Sequence, residues 1–298
     1  MIDTVKSMKK QISIFLILLL LFSVFAGCRA PTAQVVATTR PVYDFTDALC
    51  KGTGITVGQL VTENVSCLHD YTLQVSQMRL IESAEVIVMS GAGLEDFLEG
   101  AFVSAGRVID ASSGCHIHGG KEHGHDESHE HNHQQDPHIW LSPENAKIMV
   151  QNICTELSAM YPEHVGTFHS NLQELTAQLD ALQLYGEQTL SSLACREMIT
   201  FHDGFGYFAE SFDLTILEAI EEESGSEASA RELKHLITLV NDHDLPAVFT
   251  EENGSVSAAD IIRAETGVDV YTLSMAMSGG NYFETMYRNI DTVKEAME

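Results

Sequence analysis

Histidine is the residue type whose number and spacing in this chain most clearly indicate a chemical role, the ligation of a metal. Three of the 14 histidines, His69, His138 and His202, stand apart in loop-like segments. Seven others crowd into one eighteen-residue stretch: His116, His118, His123, His125, His129, His131 and His133. Imidazole nitrogen is a common ligand of transition metals. The pattern predicts metal binding at separate histidines brought together by the fold, and looser binding along the histidine-rich stretch.

Cysteines and short motifs make other kinds of zinc site less plausible. The sequence has no C-x-x-C pair, so a thiolate zinc knuckle is not expected. Five cysteines follow Cys28: Cys50, Cys67, Cys115, Cys154 and Cys195. Because this number is odd, disulfide pairing within the chain would leave at least one of them unpaired. Cys50 and Cys67 could close a short loop, but the spacing does not establish a bridge. The His-Glu-His-Asn-His run at residues 129–133 is not the H-E-x-x-H motif of metalloproteases, and no helix is expected there.

Apolar β-rich segments alternate with helical ones in both halves of the chain. The first half predicts strands at residues 34–39, 56–61, 86–90 and 107–110, with helices at 41–51, 72–84 and 94–102. The second half predicts strands at 198–201, 215–219, 247–250 and 268–273, with helices at 205–212, 229–242, 257–266 and 282–297. Alternation of this kind is typical of parallel sheets covered on both faces.

The middle of the chain is different. Residues 114–136 are too polar to bury a core and predict a loop. Helical sequence follows from residue 143 to 195 with one break at Tyr161-Pro162, and a helix over residues 163–192 would be about 45 Å long. We therefore predict an α/β protein of two lobes, each a four-stranded, mostly parallel sheet flanked by helices, joined by a long backbone helix. The predicted lobes are residues 34–162 and 193–298.

The separate histidines fall where such sheets place ligands, in loops near strand ends. Two of them lie in distinctive motifs, Asp-Pro-His-Ile-Trp-Leu-Ser-Pro at residues 136–143 and Phe-His-Asp-Gly-Phe-Gly-Tyr-Phe at 201–208. These motifs resemble signatures of the zinc and manganese substrate-binding proteins of ABC importers. The histidine-rich loop before the first motif and the long helix after it match as well. The resemblance covers residues 34–298.

The resemblance implies a metal held between the lobes by four side chains. His69, His138 and His202 match the first three ligand positions, and histidine at the third implies zinc, in keeping with the preference of imidazole for zinc over manganese. Ser274 occupies the fourth position, where the family has a carboxylate, and a neutral hydroxyl is a poor zinc ligand. Water could complete a tetrahedron there, or Glu251 or Glu252 could supply the missing ligand.

The sequence leaves open the roles of the nearby carboxylates and of the histidine-rich loop. Glu251 and Glu252 could instead be loop residues or orient ligand imidazoles, and Asp203 is another candidate for that orienting role. The family resemblance implies that the histidine-rich loop captures or senses zinc. Incidental weak binding by a histidine-rich composition is the alternative.

The N-terminus predicts export and lipidation. Lys6, Lys9 and Lys10 precede an apolar run over residues 12–26, which is short for a membrane span, and Ala26-Gly27 directly before Cys28 resembles a lipobox. The resemblance implies removal of residues 1–27 and acylation of Cys28, followed by a linker over residues 28–33, with the body outside the cytoplasm on the outer face of the cytoplasmic membrane. An uncleaved N-terminal anchor is the alternative.

Charge and family together define the expected function. With 43 acidic against 16 basic residues and a net charge of −27, nucleic acid is not an expected partner. We expect a monomeric receptor that captures Zn²⁺ as cargo and delivers it to an ABC permease, and not an enzyme. The alternatives are a zinc hydrolase or hydratase, whose three-histidine site would activate a bound water, and a surface adhesin or metal buffer.

Overall fold

The computed structural model describes residues 33–63, 68, 71–102, 106–119, 135–220, 228–252 and 256–298. Within these residues it contains two four-stranded sheets in which every strand pair is parallel. The first sheet has the order β2-β1-β3-β4, from β1 (Val35–Ala37), β2 (Val57–Gln59), β3 (Val86–Met89) and β4 (Val108–Asp110). The second has the order β6-β5-β7-β8, from β5 (Glu197–Thr200), β6 (Thr215–Ala219), β7 (Ala247–Glu251) and β8 (Asp269–Leu273).

Helices flank both sheets, as the strand–helix alternation predicts. In the first half they are α1 (Arg40–Cys50), α2 (Val75–Ser83) and the short α3 (Glu99–Phe102). Two long helices follow, α4 (Pro143–Met160) and α5 (Val165–Leu190). The second half carries α6 (Gly206–Ser211), α7 (Ala230–Asp242), α8 (Ser257–Thr266) and α9 (Tyr282–Met297). The predicted fold class is confirmed: two four-stranded parallel sheets with a long helix between them.

Local chemistry explains where these elements begin and end. The Val-Val-Ala of β1 is fully buried, which suits a strand covered on both faces. Helix α4 begins after Ser142, whose side chain accepts from the backbone N–H of Asn145, and Pro143 takes the first helical position, where its missing N–H is not needed. Helix α8 ends at Gly267, whose φ of 79° places it in the left-handed region that glycine tolerates.

The linking helix is shorter than the sequence predicts. Pro162–His164 form a separate 3₁₀ turn, and α5 then covers 26 residues, about 39 Å, rather than thirty. Its buried side chains join the largest hydrophobic cluster, which also includes Val86 from β3 of the first sheet and Phe249 from β7 of the second. The two lobes are therefore packed on one continuous core.

A glycine in α5 permits close packing of the following lobe. A Cβ on Gly186 would overlap the ring of Phe212, with Cδ1 only 2.6 Å away. Gly166, near the start of the same helix, is exposed and has no atom within 4 Å of the corresponding position. These two glycines form a matched pair for testing the packing of α5.

We expect Gly186→Ala to destabilise the protein by about 1–3 kcal/mol, since overpacking outweighs the better helix propensity of alanine. Gly166→Ala should be neutral or stabilising by up to about 0.5 kcal/mol. Urea denaturation followed by circular dichroism measures both. Equal effects at the two positions would contradict the packing of Phe212 on Gly186.

Several expectations concern residues outside those described. These are the leader and Cys28, the ligand candidate His69, Cys67, and the loop histidines from His123 to His133. The four described cysteines, Cys50, Cys115, Cys154 and Cys195, are not bridged to one another. Among the described helices, none combines the length and apolar character needed to cross a bilayer.

Candidate metal centre

His138 is fixed by the residues on either side of it. Asp136 precedes a proline, which favours an extended backbone, and its Oδ1 accepts from the backbone N–H of His138 at 3.0 Å. The same oxygen lies 2.8 Å from His138 Nδ1. A 3₁₀ turn, Ile139–Leu141, follows directly and buries Trp140, whose ring meets that of His138 edge-on at 5.5 Å. His138 is only 4% exposed, so its ring has little freedom to move.

His202 follows β5 at the carboxyl end of the second sheet. The Thr200 hydroxyl donates to the backbone carbonyl of His202 at 3.1 Å and shapes the turn that leaves the strand. Neighbouring β7 ends at Glu251, whose Oε2 lies 3.3 Å from His202 Nδ1. The carboxylate is buried, with a side-chain exposure of 4%. Strand order thus brings a histidine and a carboxylate together at one edge of the sheet.

The two histidines converge through their Nε2 atoms, which lie 3.4 Å apart. Two imidazoles on a tetrahedral zinc, with Zn–N bonds of about 2.0–2.1 Å, have nitrogens roughly 3.3–3.4 Å apart. In each ring the other nitrogen, Nδ1, faces a carboxylate, Asp136 for His138 and Glu251 for His202. Carboxylates in that position orient ligand imidazoles and raise their basicity. The pair therefore has the spacing and the support that a divalent metal requires.

The orienting residues differ in part from those that the sequence indicates. Glu251, Glu252 and Asp203 were all candidates for the orienting role, and Glu251 is the carboxylate beside His202 Nδ1. Glu251 faces the nitrogen that points away from His138, so this geometry suits orientation and not ligation. Asp136 was not named for this orienting role. Its position two residues before His138, ahead of a proline, nevertheless predicts a side chain that hydrogen-bonds the backbone two residues later.

A tyrosine holds the segment that carries His138. The Tyr207 hydroxyl, on α6, donates to the backbone carbonyl of Asp136 at 2.7 Å. Burial raises the pKa of this phenol above its usual value, which keeps the hydroxyl protonated as a donor. Because α6 belongs to the second half of the chain and Asp136 to the first, this hydrogen bond fixes the two halves at the site.

Gly204 leaves room for the two rings. A Cβ at this position would lie 2.8 Å from His202 Cδ2, 2.9 Å from His138 Nδ1 and 2.5 Å from Met275 Cε. The Met275 side chain therefore reaches the same small space as both imidazoles. It closes one side with an apolar group, which limits access of water.

The segment after β8 is anchored beside this space. Trp140 Nε1 donates to the Met275 carbonyl at 2.8 Å, and the Tyr282 hydroxyl donates to the Trp140 carbonyl at 2.8 Å. Ala276 adopts a φ of 58°, uncommon for a residue other than glycine. The Ser274 hydroxyl accepts from the Ala276 N–H at 3.3 Å. This strained turn brings the Met275 side chain to the space beside the histidine pair.

Ser274 and Glu252, both candidates for the fourth ligand position, have other contacts. Asn289 holds the backbone of Ser274 on both sides, accepting from its N–H at 3.0 Å and donating to its carbonyl at 2.7 Å. Ser274 is 4% exposed. Glu252 Oε2 lies 3.7 Å from Arg288 Nη2, and these two side chains line a pocket together with Ser274.

Comparisons with known proteins identify the family of the chain. The model of a family described as ZnuA, zinc-uptake complex component A, periplasmic, matches residues 35–296. The high-affinity zinc uptake system protein ZnuA of Bacillus subtilis (strain 168) is 27% identical over 288 residues, which cover 91% of this chain and 90% of that protein. The zinc-binding lipoprotein AdcA of Streptococcus pneumoniae serotype 4 is 27% identical, over 89% of this chain and 56% of that protein.

Solved structures show the same fold. A crystal structure of ZnuA superposes with a TM-score of 0.78 at 26% identity, covering 90% of this chain and 100% of that one. A zinc-bound deletion mutant of ZnuA superposes with a TM-score of 0.75, again at 26% identity, over 90% of this chain and 98% of that one. With a family model matched along nearly its whole described length, the chain belongs to the ZnuA family of periplasmic zinc-uptake components.

Proposed function

We propose that this chain is the zinc receptor of an ABC-type importer, which captures Zn²⁺ outside the cytoplasm and passes it to a membrane permease. The observation that carries the proposal is the 3.4 Å approach of His138 Nε2 and His202 Nε2 from the two halves of the chain. Ligands divided between two lobes suit reversible capture, since a small relative movement of the lobes would open the site. The zinc ion is cargo in this role.

The proposed ligand set has His138 and His202 at its centre. His69, in the segment after β2, is the third proposed imidazole and rests on the family resemblance. Ser274 stands at the fourth position, where a water molecule would complete the tetrahedron. Three neutral imidazoles and water favour zinc over manganese, because manganese prefers oxygen ligands.

The carboxylates behind the two rings should tune this affinity. We expect Asp136→Asn and Glu251→Gln each to weaken zinc binding by about 10–100-fold, since both changes remove the charge that orients and polarises an imidazole. Competition with a chromophoric chelator measures the affinity. Asp203→Asn, which alters a carboxylate with no such contact among the described hydrogen bonds, is the matched control. A larger loss for Asp203→Asn than for Glu251→Gln would contradict this assignment.

Growth under zinc starvation tests the receptor function. A strain that lacks the chain should grow poorly in chelated medium, and added zinc should restore growth. The wild-type gene should complement the defect, whereas a His138→Ala, His202→Ala double variant should not. Full complementation by the double variant would overturn the proposal.

Two further outcomes would distinguish the hydrolase and adhesin alternatives from the receptor function. A zinc-loaded sample that hydrolyses activated esters, with loss of activity in the His138→Ala variant, would favour the hydrolase alternative. A deletion strain with normal zinc uptake but impaired attachment to a host matrix protein would favour an adhesin. Neither outcome is expected for a receptor whose ligands come from two lobes.

We also propose that the mature chain begins at an acylated Cys28 and acts as a monomer anchored to the outer face of the cytoplasmic membrane. Two or three acyl chains hold a protein firmly at a bilayer, whereas one chain binds only marginally. Cys28→Ala should release the protein from the membrane fraction. Mass spectrometry that finds an unmodified Cys28 on membrane-bound protein would count against the anchor.

A further inference from the structure

The side chain of Met275 lies beside both imidazoles of the histidine pair. A Cβ at Gly204 would lie 2.5 Å from Met275 Cε, 2.8 Å from His202 Cδ2 and 2.9 Å from His138 Nδ1. These three atoms therefore surround one point. The thioether sulfur of Met275 is bonded directly to that methyl carbon, and the residue is only 2% exposed. A sulfur donor is thus buried next to the two rings.

The backbone of Met275 is fixed relative to His138. The Met275 carbonyl accepts from Trp140 Nε1 at 2.8 Å, and the Trp140 ring meets that of His138 edge-on, with centroids 5.5 Å apart. The following residue, Ala276, has a φ of 58° and donates its N–H to the Ser274 hydroxyl at 3.3 Å. A methionine side chain has three rotatable bonds, so its sulfur can turn while the backbone stays in place. Met275 can therefore adjust its sulfur to an ion held by the histidines.

The spacing of the two imidazoles leaves room for a further donor. His138 Nε2 and His202 Nε2 lie 3.4 Å apart. With metal–nitrogen bonds of about 2.0–2.1 Å, this separation corresponds to an angle of roughly 110–115° at the metal. A linear two-coordinate site would need nitrogens about 4 Å apart, twice that bond length. The pair is therefore bent, as a three- or four-coordinate geometry requires, and at least one more ligand is expected.

The kinds of donor around the pair suit a soft, singly charged ion. Thioether sulfur selects Cu(I), whereas imidazole binds zinc and copper alike. Ser274 stands where the family has a carboxylate, so the proposed ligands carry no negative charge. Because electrostatic attraction scales with the charge of the ion, the missing anionic ligand costs Zn²⁺ more than it costs a monovalent ion.

We propose that Met275 determines metal specificity at this site, by completing a Cu(I) site with His138 and His202. The inference rests on the proposed function, because it uses the same two imidazoles as zinc. A thioether is not among the usual ligands of zinc, so Met275 contributes to the binding of Cu(I) and little to that of Zn²⁺. Since one pair of rings holds one ion, the two metals exclude each other. Excess Cu(I) outside the cytoplasm would then displace the zinc cargo.

Displacement of zinc by Cu(I) tests the proposal in the full chain. Free Cu(I) is set with an excess of bicinchoninate under anaerobic, reducing conditions, and the zinc that stays on the protein is measured after equilibrium dialysis. In the parent protein the loop histidines are changed to asparagine, so that bound zinc reports on the buried site: His116, His118, His123, His125, His129, His131 and His133. Of these, His116 and His118 lie beside Glu210 on α6. Because the chelator fixes the free Cu(I) concentration, Cu(I) bound at cysteines elsewhere does not alter the midpoint.

Cu(I) should displace zinc from the parent, and Met275→Leu should raise the Cu(I) concentration at the midpoint by about tenfold or more, since one of three ligands is lost. Leucine nearly conserves the volume of methionine, so the fold and the zinc affinity should be kept. Met277→Leu is the matched control, because Met277 is equally buried, at 3% exposed, but lines a different cavity, with Arg40 and Thr62. This control should leave the midpoint unchanged.

Selenium labelling gives a second, independent readout. X-ray absorption at the copper edge of selenomethionine-labelled parent should show a selenium neighbour of Cu(I), which distinguishes a methionine ligand from a cysteine ligand, and Met275→Leu should remove that neighbour. Zinc that stays bound at every Cu(I) concentration, equal midpoints for the parent and Met275→Leu, or copper without a selenium neighbour would overturn the proposal and leave the zinc receptor unaffected. A parent that binds no zinc at the buried site would instead contradict the proposed function.

Discussion

Replacing His138 or His202 with alanine is expected to weaken zinc binding by about 100- to 1000-fold. Structural zinc sites with four ligands bind with roughly 10–16 kcal/mol, about 3 kcal/mol for each ligand, and 1.4 kcal/mol corresponds to a tenfold change. The proposed centre has only imidazoles as protein ligands, so loss of one leaves two. Alanine at 138 also leaves the partly buried Asp136 carboxylate without its ring partner.

Competition with a chromophoric chelator measures this loss, and circular dichroism checks that each variant is folded. His169→Ala is the matched control, because it removes an exposed histidine far along the sequence from both motifs. A variant of either His138 or His202 that retained wild-type affinity would contradict the proposed ligand set. Equal losses in the His169 variant would point to a general effect of histidine content.

The fold could be predicted because its signals are local. Buried strands such as β3 read as short apolar runs, and the predicted bounds of β6, α8 and α9 match the structure. The predicted element bounds are wrong where side-chain hydrogen bonds, and not the regular backbone pattern, determine the local structure. The first strand was predicted to reach residue 39, but it ends at Ala37, and the Thr38 and Thr39 hydroxyls instead contact Glu95 and Ser90. Such contacts depend on tertiary neighbours, which a local pattern does not contain.

The candidate site could be predicted from the sequence only in part, for the same reason. The approach of His138 and His202 joins residues 64 positions apart, and the sequence indicated it only through the resemblance to a family. Glu251 was named as a possible ligand or orienting group, and its distance from His202 Nδ1 favours the second role.

Ser274→Asp is expected to tighten zinc binding by about 10–100-fold. Charged hydrogen-bonding and ligand contacts contribute roughly 1.5–3 kcal/mol, and a carboxylate would add both a negative charge and an oxygen ligand. The turn that carries position 274 lies beside the histidine pair, since Met275 reaches the space around Gly204. Manganese should gain proportionately more than zinc, because it prefers oxygen ligands.

The same change should destabilise the metal-free protein. Ser274 is 4% exposed, and a carboxylate buried there without a cation loses hydration that the Ala276 N–H alone does not replace. The melting temperature without metal should therefore fall by several degrees, which corresponds to about 1–3 kcal/mol, and saturating zinc should raise it by more than in the wild type. The same carboxylate charge therefore lowers the stability of the metal-free variant and raises its zinc affinity, because only the bound ion neutralises it.

Ser274→Asn separates charge from shape. Asparagine has nearly the volume of aspartate and can accept the same Ala276 N–H, but it carries no charge, so it should neither tighten zinc binding appreciably nor improve manganese binding. Calorimetry with both metals on the wild type and the two variants gives the comparison, alongside Glu251→Gln. If the Asp and Asn variants bind zinc equally and Glu251→Gln loses it altogether, position 274 does not face the ion. The fourth ligand would then be Glu251, and its contact with His202 Nδ1 would have to break when zinc binds.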